Sequence, residues 1–221
     1  MRVLCTVLLL SGLTFAAEKD AVWRVEKSAD VFNEIMAMPD KGIPQDLIAK
    51  AHCIVIVPDL KKGAFIVGAK YGKGVASCRM ADGKWSAPAN FRIEGGSVGF
   101  QIGGEVTDVV MLVMNQRGMD KLLSDKFTLG GESEVAAGPV GRAASAQTDA
   151  KMSAEILSWS RNHGLFAGVS LSGATLRPDL KDNEQLYGKP IANRDLLKGS
   201  TPPPAAASKL LAQLNKYSMK P

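Results

Sequence analysis

Residues 53–93 read CIVIVPDLKKGAFIVGAKYGKGVASCRMADGKWSAPANFRI, a series of short apolar segments broken by turn-forming residues. Aliphatic and β-branched residues gather at 53–57, 64–70, 74–79 and 91–93, with Pro, Asp and Gly between them at 58–63, 71–73 and 82–83. Side chains of the first kind suit a pleated, half-buried surface and those of the second reverse the chain, so the stretch predicts an antiparallel meander. Downstream, residues 106–114 form a longer apolar strand, and shorter strands are expected at 133–137, 154–160 and 165–171. Asn115 is placed to cap a helix carrying Met119, Leu122 and Leu123. Upstream, Val22, Val25, Ala29, Phe32 and Met36 are spaced by three or four residues, which makes one stripe of an amphipathic helix that Pro39 and Gly42 end. Pro44 opens a shorter helix over 45–51, where its missing N–H costs nothing. Pro202, Pro203 and Pro204 stiffen the approach to a last helix, 208–217, which presents Leu210, Leu211 and Leu214. The fold class expected is α+β: a mostly antiparallel sheet, able to curl into a barrel, covered by N-terminal, central and C-terminal helices. Gly95, Gly99 and Gly103 are read as one face of one strand, against which another element packs closely.

The chain has 221 residues, 46% of them hydrophobic and 22% charged, which excludes disorder over most of its length and fits one domain. Its net charge of +5 is small, and aromatic residues make up only 6%, so binding to nucleic acid is not supported. Residues 1–16 hold Arg2, an apolar run from Val3 to Leu13 and the small residues Thr14 and Ala16, the pattern of a signal peptide cut after Ala16. Residues 17–221 are then a single exported domain, periplasmic or extracellular, with scope for membrane association.

Catalytic and metal-binding chemistry finds little footing. His52 and His163 each lack a second ligand at metal spacing, so no metal is expected. His52 and Cys53 are adjacent, and consecutive strand residues point to opposite faces, which disfavours a nucleophile pair. Gly72, Lys73 and Gly74 lack the remaining spacing of a phosphate loop. The acidic run Asp179, Asp182, Asn183 and Glu184 lacks the alternation of a calcium loop and reads as a solvated turn. No cofactor and no enzymatic activity are predicted.

Charge is concentrated in the meander, where Lys61, Lys62, Lys70, Lys73, Arg79, Lys84 and Arg92 face one acid, Asp82. With turns at 58–63 and 82–83 on one end of the sheet, Lys61, Lys62, Arg79 and Lys84 share a basic rim suited to anionic lipid, and Lys70 and Lys73 lie at the other end. Two cysteines outside the leader, in an oxidising compartment, favour a Cys53–Cys78 disulfide. The meander register opposes it, since one strand would lie between them at roughly 9.5 Å. Either the bond is absent or the strand at 53–57 is not beside the one at 64–70.

Many strings resemble the SYLF domain family. They include Ile43-Pro44, Lys62-Gly-Ala-Phe65, Tyr71-Gly-Lys-Gly74, Asp82-Gly-Lys-Trp-Ser-Ala-Pro88, residues 95–104, Thr128-Leu-Gly-Gly131, Ala137-Gly-Pro-Val-Gly-Arg142 and Gly164-Leu-Phe-Ala-Gly-Val-Ser-Leu171. The resemblance implies a lipid-binding module, phosphoinositide-binding in eukaryotic members and actin-binding in fungal ones. Combined with export, it implies a non-enzymatic envelope protein that binds anionic phospholipid through Lys61, Lys62, Arg79 and Lys84, with actin not expected as a partner. The alternative is a structural or assembly protein making protein contacts in the envelope.

Overall fold

The computed structural model describes residues 4–38, 42–64, 67–98, 103–130, 135–137, 154–162, 165–166, 171–199 and 201–218. In chain order the elements are α1 (Leu4–Met36), α2 (Gln45–Lys50), β1 (Cys53–Ala64), β2 (Val67–Cys78), β3 (Ala89–Val98), β4 (Gly103–Val113) and α3 (Gln116–Leu122). Then come β5 (Phe127–Thr128), β6 (Val135–Ala137), β7 (Ile156–Asn162), β8 (Leu165–Phe166) and β9 (Thr175–Pro178). Helices α4 (Leu180–Tyr187) and α5 (Asn193–Leu197), a 3-10 turn (Ala205–Ala207) and α6 (Ser208–Ser218) complete the chain. The strands form one curled sheet in the order β5-β9-β3-β2-β1-β4-β7-β6, with β8 attached to β7. Every pairing is antiparallel except β6 with β7, so the α+β expectation holds.

The sheet is buried on both faces, because alternate residues of each strand enter different cores. Ile54, Ile56, Val75, Val110 and Leu112 meet the outer helices through Val25, Ala29 and Phe32 of α1, Leu47 and Ile48 of α2, and Leu210 and Leu214 of α6. Val55, Val57, Ala76, Met111 and Val113 fill the curled inner face with Phe91, Phe127, Leu176 and, from α3 and α5, Leu122 and Leu196. The three predicted helical covers are all present. Asn115 caps α3 as expected, its Oδ1 accepting from the Gly118 N–H at 2.9 Å.

Two expected turns are strand instead. Residues 58–63 lie within β1, which takes up its extra length as a bulge: the register to β4 shifts between Val57 and Leu60. There Asp59 has φ of 50°, and its N–H donates to Asp108 Oδ1 at 3.1 Å. Residues 71–73 lie within β2, where glycine serves close approach. A Cβ on Gly74 would sit 2.1 Å from the Ile56 carbonyl oxygen, and one on Gly72 would sit 2.9 Å from Leu60 Cδ1. With no reversal at 71–73, β1 and β2 are neighbours in the register Cys53↔Cys78 through Ala64↔Gly68. The cysteines are thus direct partners, their Cα atoms 3.9 Å apart, and they are disulfide-bonded and buried in the inner core. The glycine face is also corrected: Gly95 belongs to β3, Gly103 to β4, and Gly99 lies outside the described residues. Close packing holds at Gly95, where a Cβ would sit 2.9 Å from Ala174 Cα.

Candidate functional site

The shift from turn to strand relocates the basic residues. Lys61 and Lys62 stand opposite Tyr71 and Lys70 of β2, near the Ala64 end of β1. Arg79 and Lys84 follow Cys78 at the other end, about 25 Å away at the rise of an extended strand. The four-residue rim of Lys61, Lys62, Arg79 and Lys84 therefore does not exist as one surface. Lys70 instead joins Lys61 and Lys62, whereas Lys73 does not.

Arg79 has a packing role. Its guanidinium carbon lies 4.4 Å from the centre of the Trp85 ring, and its Nη atoms donate to the carbonyls of Gly83 and Ile48 at 2.8 and 3.2 Å. Burial lowers its pKa, as expected for a cation drawn out of water. Lys84 is exposed and lies 3.5 Å from Asp82.

Lys73 is held inside a buried network with Arg24, Asp179 and Asp182. Its Nζ lies 2.8 Å from Asp179 Oδ2 and 3.0 Å from Asp182 Oδ2, and Asp182 also pairs with Arg24 of α1. Burial opposes the Lys73 charge, but hydrogen bonds and charge from Asp179 and Asp182 outweigh it, and the net pKa is raised. The acidic run is thus no solvated turn: Asp179 caps α4, accepting from the Asp182 N–H, and both carboxylates are buried. The partners are about a hundred residues or more apart in sequence, so no local pattern marks the network.

At the Ala64 end of β1 the outer face offers a different combination. Lys61 of β1 is exposed and is flanked in register by Val106 of β4 and Tyr71 of β2. Val106 and Tyr71 are 45% and 47% exposed, a large fraction for apolar side chains inside a sheet. On the opposite face of the same strands Lys62 stands beside Lys70 and lies 3.3 Å from Glu105. The Lys70 pKa is lowered by burial and then by the Lys62 charge. An exposed cation between apolar and amphipathic neighbours can enter a charged interface while its flanks contact the apolar layer beneath. Among the described residues no group of three metal-ligating side chains occurs, and no helix is long and apolar enough to cross a membrane.

Residues 94–217 match the family described as Las17-binding protein actin regulator, Ysc84. The chain belongs to the Ysc84 family. It is 39% identical over 192 residues to the human SH3 domain-containing YSC84-like protein 1, covering 86% of this chain and 56% of that protein. LAS seventeen-binding protein 3 of Saccharomyces cerevisiae is 35% identical over 179 residues, 79% of this chain and 39% of that protein. The chain spans about half the length, or less, of these relatives. The SYLF resemblance is thereby shown.

Family membership also corrects two expectations. The matched relatives are eukaryotic proteins named for an SH3 domain or for Las17 binding, which overturns the placement in a periplasm or outside the cell. Because the Ysc84 family is described as an actin regulator, the exclusion of actin is also overturned. None of these names is that of an enzyme.

Proposed function

We propose that residues 17–221 act as one non-enzymatic binding module that docks on anionic phospholipid through the Ala64 end of β1. The observation that carries this reading is the row Val106, Lys61 and Tyr71, an exposed cation held between two exposed side chains able to enter a membrane interface. Lys62 adds charge on the opposite face of the strand, reduced by its pairing with Glu105. Each cation near an anionic surface contributes roughly 1 kcal/mol, and a charge-held contact weakens as salt shortens the Debye length from about 10 Å at 0.1 M.

Lys61→Glu and Lys84→Glu change the net charge equally, and both residues are exposed, but only Lys61 lies in the proposed site. In co-sedimentation with phosphatidylserine-containing vesicles at low salt, Lys61→Glu should lower binding about tenfold while Lys84→Glu leaves it within about twofold. Equal losses would assign the effect to net charge, and equal binding of the unaltered protein to neutral vesicles would remove the lipid reading.

A second reading is favoured by the relatives' names: a protein of the actin machinery as partner. Co-sedimentation with actin filaments in the absence of lipid tests it, and a protein that stays in the supernatant at every filament concentration excludes direct filament binding.

A further inference from the structure

The cleft between α3 and α5 selects no charged partner, because its Arg92, Arg177 and Arg194 are matched by Glu94, Asp125 and Asp195. Charge is held less firmly at the Ala64 end of β1. There the inner face carries its own register row, Lys70 of β2, Lys62 of β1 and Glu105 of β4, behind the outer row of Tyr71, Lys61 and Val106. Lys62 stands between a like charge and an opposite one, and its Nζ turns to the acid, 3.3 Å from Glu105 Oε2. Like charges directly opposite on neighbouring strands repel, so Lys62 is held from the Glu105 side.

Glu105 does not depend on Lys62 for its position. Its other oxygen, Oε1, accepts from Thr107 Oγ1 at 3.1 Å and from Asn162 Nδ2 at 3.2 Å, and Thr107 is buried. Burial opposes the Glu105 charge, but the hydrogen bond and charge of Lys62, with the hydrogen bonds of Thr107 and Asn162, outweigh it. The carboxyl therefore lies below its ordinary pKa and is ionised at neutral pH. A carboxylate anchored through one oxygen thus faces an ammonium group on a flexible four-carbon stem. The Lys62 and Glu105 side chains are 22% and 36% exposed, and an ion pair so open to water exchanges one of its partners at little cost.

We propose that Glu105 sets the affinity of the docking end, holding Lys62 in the free protein and yielding it to the phosphate of an anionic phospholipid on docking, an inference that rests on the lipid reading of the Ala64 end. A lysine that must leave one anion to reach another adds little to binding, whereas one without an internal competitor adds about fivefold at an anionic surface. Glu105→Gln removes the competing charge, and its amide oxygen can still accept from Thr107 and Asn162, which keeps the local fold. In co-sedimentation of the full chain with phosphatidylserine-containing vesicles at low salt, Glu105→Gln should bind about fivefold more tightly than the unaltered protein. Asp82→Asn also removes an acid paired with a lysine, Lys84, and changes the net charge equally, but should leave binding within about twofold. Adding Lys62→Gln to Glu105→Gln should return binding to within about twofold of the unaltered protein, since the pair is then neutral again. Three results overturn the proposal while leaving the lipid reading in place. Unchanged binding of Glu105→Gln would show that the acid does not compete. An equal gain from Asp82→Asn would assign the effect to net charge, and a gain that survives Lys62→Gln would mean that Glu105 only repels the surface. If neither the unaltered protein nor Glu105→Gln sediments with the vesicles, the lipid reading itself falls and this proposal with it.

Discussion

Asp182 receives two cations from different parts of the chain, Arg24 of α1 and Lys73 of β2, and its side chain is only 7% exposed. Deleting the carboxylate by Asp182→Ala would leave the Arg24 guanidinium, itself 10% exposed, as a buried charge without that partner. Breaking a buried pair on one side costs about 3 kcal/mol or more, because the surviving charge keeps its desolvation penalty. Urea unfolding should show a loss of this size, and one below about 1 kcal/mol would mean that water readily replaces the carboxylate. Tyr187 gives a pH-dependent counterpart. Its hydroxyl donates to the Pro88 carbonyl at 2.6 Å, and burial raises its pKa well above the ordinary phenol range. The fold favours the neutral phenol, so this contribution is complete below the unfolded pKa of about 10 and is lost as pH rises towards the folded value. Unfolding free energy should therefore fall between about pH 9 and pH 11, and Tyr187→Phe should flatten that slope. An unchanged slope in the phenylalanine variant would assign the alkaline loss to other groups.

At the scale of elements, the β1–β2 pair determines where most of the surrounding residues lie. Its disulfide closes a separation of 25 residues, for which the chain-entropy model gives a stabilisation of about 3 kcal/mol. Replacing both cysteines by alanine should lower stability by at least that amount, since sulfur packing in the inner core is lost as well. Thermal unfolding of the double variant measures it, and a near-neutral result would mean that the pairing of β1 with β2 already restricts the unfolded chain. The same pair shows what the sequence revealed and what it concealed. The apolar runs at 53–57 and 106–114, the cap at Asn115 and the stripe from Val22 to Met36 were legible because period and capping are local properties. The continuity of β2 through Gly72 and Gly74 was not, because glycine marks both a reversal and a site of backbone approach. Only the partner strand decides between them, and here the partner is the bulged part of β1, whose Ile56 carbonyl occupies the space a Gly74 Cβ would need. That misreading separated Lys61 from Tyr71 and grouped it with Arg79. Likewise, the carboxylates of Asp179 and Asp182 looked solvated because their partners Arg24 and Lys73 are distant in sequence.

Across the whole molecule, charge is divided by task. The network around Asp182 and the Glu34–Arg161–Asp108 chain fasten α1 to the sheet, and Arg79 lies over Trp85, so these cations are committed to the fold. Lys61 and Arg194 remain exposed, one on a sheet end with apolar flanks and the other on a mixed-charge cleft. The sheet itself has a consequence for motion. Strand β1 is paired along both edges, with β2 and β4, and covered on both faces by separate cores. Amide protons of Ile54, Val55 and Ile56 therefore have no route to solvent through fraying of an edge or lifting of a single helix. In deuterated water they should exchange last, with protection equal to the free energy of global unfolding, whereas amides near Ala64 should exchange through smaller openings. If Ile54 to Ile56 exchanged before the amides of α6, the two cores would have to separate as independent units, and β1 would be the seam along which the molecule opens.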